Sequence, residues 1–154
     1  MRHLPTRGFK TLAAIALLAG VAVAGPAMAS NRGATGLGQA WPNAQDVSSS
    51  PRWHVYVFER DGIRYIQIND LNGNVRAAFA TQGGSFLVLP IGSDASRLAT
   101  PQDPQPAPAD TQGEIVYRDS DVQLQVTPQA SGMTTLQAVD ATCSDPVECS
   151  SRVN

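Results

Sequence analysis

WHVYVFERDGIRYIQIND, residues Trp53 to Asp70, decides the fold. Asp61-Gly62 separates two runs of β-branched and aromatic residues, and this dipeptide between alternating apolar positions is the strongest short-range signal for a β-hairpin. A two-residue type I′ turn needs positive φ at both central positions. Asp and Gly tolerate that conformation, and its twist matches that of the strands it joins.

Such a turn fixes the register, and with it two faces of different character. Trp53, Val55 opposite Ile68, and Val57 opposite Ile66 form an aliphatic face, ending at Glu59 opposite Arg64 near the tip. His54 opposite Asn69, Tyr56 opposite Gln67, Phe58 opposite Tyr65, and Arg60 opposite Ile63 form a mixed aromatic and polar face.

After the hairpin, Asn72-Gly73 marks a second turn before a strand over Val75 to Thr81. An even-length loop places Val75, Ala77 and Phe79 on the aliphatic face; a three-residue loop with Gly73 in a bulge brings Arg76 there instead. Hydrophobic consistency favours the even loop, because a one-residue slip moves the whole apolar set to the other side. Gln82-Gly83-Gly84 then leads into Ser85 to Ile91, apolar on both faces and expected to lie centrally, with Pro90 marking its end or its free edge.

Residues 92–113 carry Pro101, Pro104, Pro106 and Pro108 and are read as a semi-extended crossover, with one helical turn possible at Asp94 to Leu98. Further strands are expected at Glu114 to Arg118, Val122 to Thr127 and Met133 to Asp140. The fold class is therefore all-β: an antiparallel meander forming a small sandwich or barrel of about seven strands, in one domain over 52–142.

The ends read differently. Residues 1–29 have the form of a signal peptide, with Arg2, Arg7 and Lys10 before an apolar stretch from Thr11 to Gly25 and Ala27-Met28-Ala29 as cleavage site. The apolar run is shorter than the roughly 20 residues a membrane span needs. Residues 30–51 are rich in Gly, Ala, Asn and Ser and are expected to be a disordered, flexible arm, with Trp41-Pro42 able to dock on the domain or a partner. In the tail, 143–154, Cys143 and Cys149 are expected to close a small disulfide loop worth about 2.4 kcal/mol at most on chain-entropy grounds. The location implied is periplasmic or secreted.

Cleavage after Ala29 leaves 8 arginines, no lysine and 13 acidic residues, for a net charge of −5. That balance disfavours a nucleic-acid partner, and the missing lysine excludes Schiff-base and S-x-x-K chemistry in the mature chain. His54 is the one histidine left, no G-x-S-x-G elbow occurs, Asp119-x-Asp121 lacks the glycine and distal glutamate of a calcium loop, and Asn69 to Asn74 resembles one only in composition. No catalytic residue, cofactor or metal site is assigned.

One constellation stands out as a candidate binding site: His54, Tyr56, Phe58, Tyr65, Gln67 and Arg76 on the mixed hairpin face. Tyr and Arg are enriched at interface hot spots, and such mixtures suit protein or glycan partners. Whether that face is open or is covered by Glu114 to Val126 as a second sheet is undecided by the residues. The expectation is an exported, non-enzymatic binding domain, accessory or inhibitory, acting in the cell envelope or outside the cell. A hydrolase using at least two of Asp61, Asp70, Glu114, Asp119 and Asp121 in one cleft is the alternative, and a structural envelope component the third reading. Mass spectrometry of the exported chain should find Ser30 at its N-terminus; a longer product would contradict the cleavage site.

Overall fold

The computed structural model describes residues 33–110 and 112–152. The expected signal peptide and the first residues of the arm lie outside them. The hairpin forms as its residues dictate: β1 (Trp53–Arg60) pairs antiparallel with β2 (Ile63–Asp70), Val57 opposite Ile66 and Phe58 opposite Tyr65. Asp61 and Gly62 have φ of 54° and 79°, the left-handed pair that the type I′ turn demands.

At the second turn both alternatives are realised in part. Gly73 (φ 81°) closes a loop in which Asp70 bonds Asn74, and β3 (Val75–Gln82) starts with Val75 opposite Asn69. Between Asn69 and Ile68 the register then shifts, so that Arg76 is the extra residue of a β-bulge and Ala77 and Phe79 meet Ile68 and Ile66. The bulge absorbs the odd loop and returns the apolar residues to the aliphatic face.

β4 (Ser85–Val88) corrects an expectation. Its sheet runs in the order β1-β2-β3-β4, which makes it an edge strand and not a central one. Phe86 is buried, whereas Leu87 is 64% exposed, so apolar character on both faces here marks an uncovered surface. After a 3-10 turn at Ala95–Arg97, the two-residue β5 (Leu98–Ala99) pairs parallel with β8 (Thr134–Asp140), an exception to the antiparallel scheme. With β6 (Glu114–Arg118) and β7 (Val122–Pro128), these build a second four-stranded sheet in the order β5-β8-β7-β6.

The two sheets form a sandwich. Val55, Val57, Ile66, Ile68, Ala77 and Phe79 of the first sheet pack against Leu98, Val116, Val122, Leu124, Val126 and Leu136 of the second. The second sheet thus covers the aliphatic face of the hairpin, not the mixed one.

Cys143 and Cys149 are disulfide-bonded. A short helix, α1 (Pro146–Ser150), begins inside their loop and carries Cys149, where none was expected. Its signals are local: the Asp145 carboxylate accepts from the Val147 and Glu148 amides, and Pro146 occupies the first turn, where no donor is needed.

Ile66 is fully buried between the sheets. Ile66→Ala should cost about 2–5 kcal/mol in urea denaturation, as expected for deletion of buried methyl groups; a loss under about 0.5 kcal/mol would contradict this packing.

Candidate functional site

The mixed face of the hairpin is covered by the N-terminal segment, and this corrects the expectation of a disordered arm for residues 33–51. Gln67 and Asn69 show why. Both are fully buried on β2, and buried amides need partners. The Gly38 amide donates to Gln67 Oε1 (2.6 Å), Gln67 Nε2 donates to the Gln39 carbonyl (2.8 Å), and Asn69 Nδ2 donates to the Ala40 carbonyl (2.7 Å). A Gln67 to Asn69 bond of 2.8 Å joins the two amides. A chain of small residues can lie this close to a sheet, which is why its low hydrophobicity misled: polar side chains on β2, not apolar burial, hold it.

Further along, the segment becomes an extra strand edge. Val47 donates to Val55 on β1, Ser49 donates to Val116 on β6, and the Val47 side chain packs against the core. The segment therefore closes one side of the sandwich. Arg52 and Glu114 pair across the same seam at 2.6 Å.

Asp46 fixes the crossing point. Its carboxylate accepts from the Val55 and Ser48 amides, both at 3.0 Å, and contacts His54 Nδ1 at 2.7 Å. Burial tends to raise the Asp46 pKa, but the His54 and backbone hydrogen bonds outweigh it and hold the carboxyl below its ordinary value. Donation from Nδ1 to this carboxylate fixes the orientation of the His54 ring. Trp41 meets the His54 ring edge-on at 5.5 Å, and His54 stacks on Tyr56 at 6.2 Å. Gly73 forms the rest of the Trp41 seat, since a Cβ there would come within 2.7 Å of the indole. Trp41 nevertheless remains 60% exposed, and Leu71, in the adjoining turn, is exposed as well.

Of the six residues singled out from sequence, the structure keeps five on one face. Tyr56, Phe58 and Gln67 are buried beneath the arm, while His54 and Tyr65 are half-buried. Beside Phe58 and Tyr65, residues 34–37 of the arm border a cleft of about 540 Å³ that also reaches Glu59 and Arg60. Arg76 stands apart. From its bulge it pairs with Asp94 at 2.6 Å and Asp70 at 3.5 Å and donates to Thr134 Oγ1 at 3.0 Å, a cross-sheet clamp at one end of the sandwich. Trp41 and Asp46 were not singled out for this site, because partners on a separate segment leave no periodic trace.

The acids proposed for hydrolysis are dispersed. Asp70 caps its own turn through Asn72 and Asn74, and Glu114 pairs with Arg52. Asp119 accepts from the Tyr117 hydroxyl and the Asp121 and Val122 amides and pairs with Arg64 at 2.5 Å. Burial pushes Asp119 up, but these donors prevail and lower its pKa. Arg64 is thereby drawn to Asp119 and Asp121 of the second sheet. A cleft of about 420 Å³ at this end contains only Asp121 of the five acids, together with Glu59 and Asp140. Asp46 and His54 resemble the oriented half of a catalytic triad, yet among the described residues no hydroxyl or thiol hydrogen-bonds His54. Nor, among those residues, do three His, Cys, Asp or Glu side chains group to hold a metal ion, and no helix is long and apolar enough to cross a membrane.

Compared with protein-family models, curated proteins and solved structures, the chain matches none.

A carboxyl held below its unfolded pKa stabilises the fold above that value, and the contribution is lost as pH falls through the folded pKa. Acidification below about pH 4 should therefore release the arm, read as a change in Trp41 emission in a Trp53→Phe background. Asp46→Asn should flatten that transition; an unchanged acid profile would contradict the role given to Asp46.

Proposed function

We propose that this chain is an exported, non-enzymatic domain that binds a macromolecule, protein or glycan, in the cell envelope or outside the cell. The recognition surface is centred on Trp41, flanked by His54 and Leu71. One observation carries the reading: Trp41 is pinned by its contacts with His54 and Gly73 while most of its surface stays open to solvent. A large ring held in place loses little entropy on binding, and tryptophan is the residue most enriched at energetic centres of interfaces. The buried Tyr56, Phe58 and Gln67 act as the support beneath it, so the site is shifted from the hairpin face to the arm lying over it.

Export agrees with the form of residues 1–29 and with a disulfide, which persists in oxidising compartments. The net charge of −5 expected after cleavage argues against nucleic acid as partner.

The test is photo-crosslinking from position 71 in the native compartment, followed by identification of the adduct. Trp41→Ala should reduce that adduct at least about tenfold while leaving the fold intact, as for loss of an interface anchor. An adduct undiminished by Trp41→Ala would contradict the proposed surface.

A further inference from the structure

The four outer edges of the two sheets are treated unequally. The arm pairs with β1 through Val47 and with β6 through Ser49, and β5 is only two residues long. Short or covered edges do not recruit other strands. β4 is different. It carries no charge anywhere from Gln82 to Gly92, and exposed Leu87 sits at its centre.

The hydrogen-bond pattern tells which backbone groups remain outward. Leu89 donates to Ala78 of β3, and Ala80 lies opposite Leu87, so alternation turns the N–H and C=O of Phe86 and Val88 away from β3. A side chain meets part of this edge. Phe86 N donates to Gln102 Oε1 at 3.3 Å, and Gln102 Nε2 donates to the Gly84 carbonyl at 3.5 Å, both long for such bonds. The carboxamide of Gln102 stands where a neighbouring strand would.

We propose that β4 is a pairing surface for a second copy of this chain, with Gln102 as a displaceable cap. The argument for self-pairing is that the edge is complementary to itself. Antiparallel pairing about Leu87 sets Phe86 of each copy opposite Val88 of the other, where each pair exchanges two backbone hydrogen bonds. Leu87 then faces Leu87 of the second copy on the outer surface and loses its exposure, while Phe86 and Val88 keep facing the cores. With no charged residue in the segment, the twofold brings no like charges together. Pro90, which has no amide hydrogen to donate, ends the match. The contact is small, so association is weak and concentration-dependent.

The purified protein tests this by sedimentation up to concentrations on the order of 1 mM, the weak end of specific association. Dimer should form, increase in Gln102→Ala, and weaken about tenfold or more in Leu87→Lys, which sets like charges across the twofold. In a second measurement, Leu87→Cys should crosslink to its counterpart in oxidised glutathione, since residues so paired have Cα atoms about 4.5 Å apart. Leu71→Cys, remote from β4, serves as the control. A wild type and Gln102→Ala that both stay monomeric, a dimer indifferent to Leu87→Lys, or crosslinking at 87 no faster than at 71 would each overturn the proposal.

Discussion

The buried amides of Gln67 and Asn69 are the constraint around which this molecule is arranged. Their backbone hydrogen bonds to β1 and β3 satisfy the strand, but the side chains face away from the apolar core, and water does not reach them. The backbone of residues 38–40 supplies their shortest partners beyond the bond they share, and the Gly73 carbonyl adds a longer one to Asn69 at 3.4 Å. Leaving such groups unmet costs about 1–3 kcal/mol each. The arm is consequently a third layer over the hairpin, and everything downstream of that docking follows: Asp46 reaches His54, Val47 joins the core, and Ser49 ties the first sheet to the second.

The hairpin thus organises the fold through both of its faces by different physics. Its aliphatic face is matched by the second sheet through area-driven burial, which is non-directional and tolerant of detail. Its mixed face is matched by a segment with few apolar side chains, through directional hydrogen bonds that work only in one alignment. Trp41 follows Ala40, whose carbonyl Asn69 holds, and its ring rests on His54 and Gly73, which explains how so large a ring can be both fixed and exposed.

This difference also separates what was legible in the sequence from what was not. The β1-β2 register and the aliphatic core could be read because alternation and Asp61-Gly62 are local signals. The bulge at Arg76 was half legible: hydrophobic parity required Ala77 and Phe79 to face inward, yet the Gly73 turn has odd length, and only a bulge reconciles the two. α1 had a readable start in Asp145, Pro146 and Glu148 that the disulfide loop overshadowed. β4 was misplaced because an apolar residue on both faces of a strand is the mark equally of a central position and of an exposed edge. The arm was missed because its composition reports only its own side chains, whereas its order comes from the acceptors and donors of β2. The candidate site suffered most, since Asp46 and Trp41 meet His54 through tertiary structure alone.

The central claim, that residues 33–51 are an integral layer, is tested most directly by amide hydrogen exchange at Gly38 and Val47 in the native protein. Both donate to partners fixed in the hairpin. The account predicts that these amides exchange orders of magnitude more slowly than an unstructured chain, through openings comparable to those of the β2 amides. Exchange at the unstructured rate, with β2 fully protected, would contradict it.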